Sequence, residues 1–166
     1  MKNNRKKVMI LTNHSYMLYR FRKELIEELM KNYDVVLSMP FVGHHEDFIN
    51  MGLRCIETKM ERRGVNPIHD FSLMKFYKKI LQEENSDLVI TYSIKPNVYG
   101  GLMCEKLNIP FYANVQGLGT AFQKPGLAQF ATVLYKTAFK KVKTVFFENQ
   151  VNLLTERLFL SRKKLF

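Results

Sequence analysis

A doubly wound α/β fold, with a mostly parallel sheet of about six to seven strands and helices on both faces, is predicted by three features of the sequence. Short apolar runs alternate with helix-length amphipathic segments along the whole chain, the pattern of βαβ units. The apolar runs are compact and bounded by polar or basic residues, as expected of strands covered on both sides. The length, 166 residues, suits one domain with a single substantial core.

The elements follow in order. Residues 8–12 form the first apolar run, and residues 17–31 the first helix, with Leu18, Phe21, Leu25 and Leu29 at helical spacing. Residues 34–39 make the second strand, stopped by Pro40. Phe48, Ile49 and Met51 mark a short helix closed by Gly52, and residues 54–58 make a weaker third strand. Residues 59–67, basic and carrying Gly64 and Pro67, read as a loop. Helical periodicity resumes over 70–83 through Leu73, Phe76, Tyr77, Ile80 and Leu81. Residues 88–92 are the fourth strand, 93–97 a loop with Pro96, and 98–107 a helix ended by Asn108 and Pro110. The fifth strand is 111–115. A glycine-rich loop, 116–126, leads into a helix over 127–140, the sixth strand is 144–147, and a last helix spans 151–160.

Composition narrows the partners. Lys and Arg number 26 against 15 Asp and Glu, a net charge of +11, so something negative is expected to meet this surface: nucleic acid, an anionic lipid surface or a phosphorylated small molecule. No apolar stretch approaches the roughly 20 residues that span a bilayer. The basic start, residues 1–7, is followed by an apolar run too short for a signal peptide, which reads as a cytosolic protein. Cys55 and Cys104 stand far apart with no CxxC, and read as reduced, packed thiols.

In such a sheet a ligand binds beyond the carboxyl ends of the strands, where strand order reverses. This selects the loops at 13–16, 61–67, 93–97, 116–122 and 148–150. They carry His14, Ser15, Arg62, Arg63, Ser93, Lys95, Asn97, Gln116 and Asn149, with backbone donors around Gly117 and Gly119, groups suited to hydroxyls and phosphates. In the usual strand order His14 and Lys95 face the same crevice. Each has a plainer reading beside the functional one: Lys95 as a solvated loop lysine, His14 as a helix cap, Arg62 and Arg63 as a charged face, and Gly117 and Gly119 as turn residues. The GxG lacks the third glycine of a dinucleotide fingerprint and follows the fifth strand, which argues against NAD. His44, His45, Glu46 and Asp47 include metal-ligand types, but adjacent histidines on a surface turn seldom converge on one ion. No GxSxG elbow is present. Neither a cofactor nor a metal is expected.

The segments RRGVNPIHDF, SDLVITYSIKPNVYGGL and YANVQGLGTAF, with MILTNHSYMLYRFRKELIEEL near the start and FFENQ near the end, carry a resemblance. Together they resemble the amino-terminal half of family 4 glycosyltransferases of the GT-B fold, especially those building capsule, exopolysaccharide and other lipid-linked surface glycans. The resemblance covers essentially the whole chain. It implies that residues 1–166 form the acceptor-side Rossmann-like domain of a retaining enzyme without an obligatory metal, inactive alone, whose donor-binding domain lies outside this chain. It implies a lipid-linked sugar as acceptor and a nucleotide-sugar donor held mainly by the other domain. The acceptor or cleft contacts would fall among the loop residues above. Many members carry His where this chain has Gln116. No single catalytic residue is assigned.

The expected acceptor also implies a peripheral place on the inner face of the cell membrane. Phe71, Phe76 and Tyr77 are interleaved with Lys75, Lys78 and Lys79 in one helix, and Phe130, Leu134 and Phe139 with Lys136, Lys140 and Lys141 in another. Nucleic acid is not expected, since no reader motif accompanies the charge. Two alternatives stay open: a non-catalytic acceptor subunit of a split glycosyltransferase, or a basic small-molecule or nucleic-acid-binding Rossmann module.

Overall fold

The computed structural model describes residues 5–61, 66–116 and 125–148. Its strands are β1 (Lys7–Leu11), β2 (Asp34–Met39), β3 (Arg54–Glu57), β4 (Leu88–Tyr92), β5 (Phe111–Val115) and β6 (Thr144–Phe147). Between them run α1 (Ser15–Asn32), α2 (His45–Asn50), α3 (Pro67–Glu83), α4 (Gly101–Leu107) and α5 (Pro125–Ala138). The predicted helix over 151–160 lies outside the described residues.

The six strands form one sheet in the order β3-β2-β1-β4-β5-β6, every neighbouring pair parallel. Alternate residues of each strand feed two separate cores. Val8, Ile10, Val35, Leu37 and Met39 pack with Leu18 and Ile26 of α1 and Phe48 of α2. Met9, Leu11, Val36, Val89, Phe111, Ala113 and Val145 pack with Leu73, Tyr77, Ile80 and Leu81 of α3, Cys104 of α4, and Tyr135 and Ala138 of α5. Helices therefore cover both faces. The chain winds outward from β1 in one direction, then from β4 in the other, so strand order reverses between β1 and β4.

Several boundaries differ from expectation for local reasons. The helix expected from residue 70 begins at Pro67. Asn66 accepts hydrogen bonds from the backbone N–H of Ile68 (3.2 Å) and His69 (3.4 Å), while proline suits a first-turn position whose N–H has no helical partner. The inner face of α1 is also rotated from the predicted stripe. Phe21 and Leu25 are 51% and 43% exposed, whereas Ser15, Leu18 and Ile26 are buried. Ser15 enters the interior because its hydroxyl donates to the carbonyl of Val42 at 2.5 Å. In α3, Tyr77 is buried and Phe76 partly so, leaving Phe71 outward. Phe139 likewise packs in the core.

Before α4 the backbone makes a π-helical turn at Pro96–Gly100. Gly100 and Gly101 let it press onto the sheet: a Cβ on Gly100 would lie 2.8 Å from the Leu11 side chain, and one on Gly101 2.9 Å from the Phe111 ring. The thiols are free, Cys104 buried and Cys55 half-buried, and burial pushes the Cys55 thiol up to about 11.

At the opposite, amino edge of the sheet, Glu84 ends α3 between two cations. Its carboxylate accepts from Lys7 Nζ at 3.1 Å and Arg54 Nε at 2.8 Å, with 9% of its side chain exposed. Burial pushes its pKa up, but the hydrogen bonds from Arg54 and Lys7 outweigh that and hold it below the ordinary 4.5. A carboxylate whose folded pKa is depressed contributes stability above its unfolded pKa, and that contribution is lost as pH falls through the folded value. Urea unfolding at a series of pH values is expected to show the protein losing stability below about pH 4.5. Glu84→Gln should be less stable at pH 7 and show a shallower acid loss; an unchanged profile would remove this role from Glu84.

Candidate functional site

The carboxyl ends of β1, β4 and β5 converge on one crevice at the reversal point, with Glu148 after β6 reaching Arg22 and Gln116 beside it. A cleft of about 240 Å³ is lined by Thr12, Asn13 and His14 after β1, Met17, Leu18 and Arg22 of α1, Tyr92 and Ser93 at the end of β4, and Gln116 after β5. His14 is half-buried at the N-terminus of α1, its backbone N–H donating to the Thr12 hydroxyl at 3.3 Å. Ser93 has φ of 75°, the left-handed region that a residue with a Cβ enters at a cost. That conformation turns the chain sharply out of β4 and sets the Ser93 hydroxyl 3.5 Å from Gln116 Oε1.

A polar chain crosses the crevice from there. Gln116 Nε2 lies 3.5 Å from Glu148 Oε2, the other Glu148 oxygen pairs with Arg22, and the Arg22 guanidinium sits 5.6 Å over the Tyr92 ring. Arg22 also donates to the Phe21 carbonyl at 2.8 Å. Both contacts of the Gln116 amide are long and weak, so hydroxyl groups of a ligand can replace them at little cost. The crevice offers hydroxyls, amides, a carboxylate and a guanidinium, which together donate to and accept from a polyhydroxylated or phosphorylated ligand. Arg22, Tyr92 and Glu148 were not singled out from the sequence. Arg22 lies mid-helix and Glu148 is distant in sequence, so only the sheet order brings them together.

Other expected contacts are placed elsewhere. Lys95 does not share the crevice with His14. Its side chain turns to the α3 side of the sheet, where Nζ forms an ion pair with Asp70 Oδ1 at 2.7 Å, their side chains 10% and 6% exposed. The cause is the early start of α3, which makes Asp70 an inward-facing first-turn residue. Asp70 Oδ2 accepts from the backbone N–H of Asn66 at 3.2 Å, and the Tyr99 phenol lies beside the same carboxylate. Burial first, and then the nearby Asp70 carboxylate, push the Tyr99 phenol well above its ordinary range.

Asn97 is buried rather than open to a ligand. Its Oδ1 accepts from the Thr91 hydroxyl at 2.6 Å and its Nδ2 donates to the Asn114 carbonyl at 2.9 Å, tying the π-helical turn to β4 and β5. Ser15 is committed to Val42 as described. His44 stacks on Tyr19 at 4.6 Å and meets Asp47 at 2.6 Å, while His45 stacks on Phe41, so the two imidazoles serve different neighbours. Arg62, Arg63, Gly117, Gly119 and Asn149 lie outside the described residues.

Comparison with known proteins bears on the fold and the family. The family model described as "Glycosyl transferase 4-like" matches residues 7–149, and the chain belongs to that family. A curated relative, the N,N'-diacetylbacillosaminyl-diphospho-undecaprenol alpha-1,3-N-acetylgalactosaminyltransferase of Campylobacter jejuni, is 27% identical over 153 residues, covering 88% of this chain. The chain spans 41% of that relative's length. Among solved structures, a glycosyltransferase from Rickettsia africae superposes with a TM-score of 0.70 at 17% identity, covering 98% of this chain and 42% of that one. Anabaena HepE, solved in complex with UDP, gives 0.66 at 11% identity, covering 96% and 43%. The fold is thus the Rossmann-like half of a GT-B architecture.

Two measurements check the local geometry. Lys95→Met leaves the buried Asp70 carboxylate without its cation and is expected to cost about 3–5 kcal/mol in urea unfolding, with the double variant Asp70→Leu/Lys95→Met recovering most of it. A single-variant cost within about 0.5 kcal/mol would instead describe a solvated lysine. Ser93→Gly should stabilise by about 0.5–1 kcal/mol through relief of the left-handed conformation, and Ser93→Val should destabilise.

Proposed function

We propose that this chain is the acceptor-binding half of a retaining glycosyltransferase that moves a sugar from a nucleotide-sugar donor to a lipid-linked glycan acceptor in surface polysaccharide synthesis. The observation that carries the reading is the crevice at the β1/β4 reversal, where His14, Ser93 and Gln116 converge with the Arg22–Glu148 pair. Membership of the glycosyl transferase 4-like family, and a curated relative whose name specifies an undecaprenol-diphosphate-linked sugar, support the same choice of substrate class. His14, Ser93 and Gln116 contact acceptor hydroxyls. Arg62, Arg63, Gly117, Gly119 and Asn149 are proposed contacts on sequence grounds alone.

Sugar transfer requires stabilisation of a departing nucleoside diphosphate and exclusion of water. The relatives are more than twice as long as this chain, which supports a second domain that holds the donor and closes over the crevice. The half described here binds and orients; it does not enclose the reaction, and it is inactive alone. Its place is peripheral, on the inner face of the membrane. The start of α3 favours this: Ile68 is 76% and Phe71 54% exposed, and Lys75 Nζ sits 4.6 Å over the Phe71 ring. An apolar pair flanked by lysine suits the boundary of an anionic bilayer. No described helix is long and apolar enough to cross a membrane.

Titration of the full chain with a short-chain isoprenyl diphospho-N-acetylhexosamine, followed by calorimetry, tests the reading. Binding is expected, and Gln116→Ala should weaken it about three- to tenfold, the value of one or two lost hydrogen bonds. Binding indifferent to Gln116→Ala and to Ser93→Ala, or no binding, would overturn it.

A further inference from the structure

A cavity of about 560 Å³ opens at the amino edge of the sheet, at the other end of the strands from the crevice. Residues 108–110, which enter β5, form one wall and residues 140–143, which enter β6, the other, with Cys104 of α4 behind them. None of these residues lines the crevice. The size is in the range that holds a small ligand.

We propose that this cavity is an anion site for a soluble, phosphate-bearing small molecule, independent of what the crevice holds. Charge carries the argument. Lys140, Lys141 and Lys143 border the cavity, and among the described residues no carboxylate lines it. Residues 1–4, 62–65, 117–124 and 149–166, outside the described ones, contain a single acidic residue, Glu156. The lining therefore keeps a positive balance even with Glu156 counted into it.

The plainer role for lysines here is to serve helix ends, since α4 and α5 both finish at this edge with about half a negative charge each on their last carbonyls. Backbone groups already meet those carbonyls. Cys104 and Glu105 accept from the N–H of Ile109 and Asn108, and Tyr135 and Thr137 from the N–H of Phe139 and Lys140. Lys141 Nζ donates instead to the Asn108 side-chain Oδ1 at 3.1 Å, a neutral partner on the facing wall that leaves the ammonium charge uncompensated.

Both walls are fixed by the fold. Phe139 and Val142 are buried in the core and anchor the lysine turn, while Lys140, Lys141 and Lys143 are exposed around them. The Lys143 N–H donates to the Phe111 carbonyl at 2.9 Å, joining one wall to the other. Asn108 ends α4 with φ of 56°, the left-handed region. Three ammonium groups within four residues repel one another, and a multiply charged anion seated among them removes that repulsion. Phosphate oxygens suit lysines, which act as point charges rather than as planar forks. A bilayer surface suits the position less well: the exposed Ile68 and Phe71 begin α3 beyond the carboxyl end of β3, and the five residues of β5 separate the two edges by roughly 15 Å.

The test titrates the full chain, ¹⁵N-labelled, with inorganic pyrophosphate, reading amide shifts at the cavity (Asn108, Ile109, Lys143), at the crevice (Ser93, Gln116) and at the lysines of α3 (Lys75, Lys78, Lys79). The expected result is a saturable set at the cavity. Lys141→Gln/Lys143→Gln should weaken that set about tenfold or more, the value of one or two charge-assisted hydrogen bonds, with the melting temperature and the crevice amides unchanged. Lys141→Arg/Lys143→Arg keeps both charges and should stay within about threefold of the unaltered chain, since no fork geometry is involved. Equal, unsaturating shifts at the cavity and at the α3 lysines would describe a general cationic surface and overturn the proposal. So would a cavity set indifferent to Lys141→Gln/Lys143→Gln. Sedimentation with phosphatidylglycerol vesicles that this double variant loses, without cavity shifts from pyrophosphate, would assign the lysines to a bilayer and likewise overturn it. Shifts at the crevice alone would sink the anion site and leave the functional proposal standing.

Discussion

The constraint on which the rest depends is that a parallel sheet must be covered on both faces yet stays open along one edge. With six parallel strands, helices α1 and α2 take one face and α3, α4 and α5 the other. The loops leaving β1 and β4 are then driven apart to opposite faces, and a gap forms between them. His14 and Ser93 border that gap by topology, whatever their side chains. Chemistry is added by residues the sheet order imports from afar: Arg22 from the middle of α1 and Glu148 from the end of the chain's last described strand.

Much of this was legible before any coordinates. The period of apolar residues located every described strand within a residue or two, because strands buried on both faces leave a dense local signal. His14, Ser93 and Gln116, which line the crevice, fall in loops that topology alone picks out, whereas the other expected contacts among the described residues do not line it. What sequence could not resolve was the direction in which a loop residue points. Lys95 looks like a ligand-facing lysine until α3 is seen to begin at Pro67, which carries Asp70 inward to meet it. Asn97 and Ser15 were misread for the same reason. Their polar groups have partners inside the fold, Thr91 and Asn114 for one and Val42 for the other, and a satisfied polar group packs as readily as an apolar one. Periodicity likewise placed Phe21 and Leu25 inward, since it weighs side chains by polarity and had no way to count the partners of Ser15 and Arg22.

Charge is distributed in a way that composition alone did not disclose. Helix α1 carries Arg20, Arg22, Lys23 and Lys31 together with Glu24, Glu27 and Glu28, several of them paired within the helix or across to β6. On the opposite face α3, α4 and α5 carry Lys75, Lys78, Lys79, Lys106 and Lys136 against Glu83 and Glu105 outside the core, with Lys79 3.8 Å from Glu83. Among the described residues the α3–α5 side is therefore the more positive of the two, and Ile68 and Phe71 project on that side.

The fit of Gly100 and Gly101 against Leu11 and Phe111 bears on what the sequence tolerates there. The floor behind Ser93 is set by two residues without side chains, and a Cβ at either would have to displace Leu11 of β1 or Phe111 of β5, or lift the turn off the sheet.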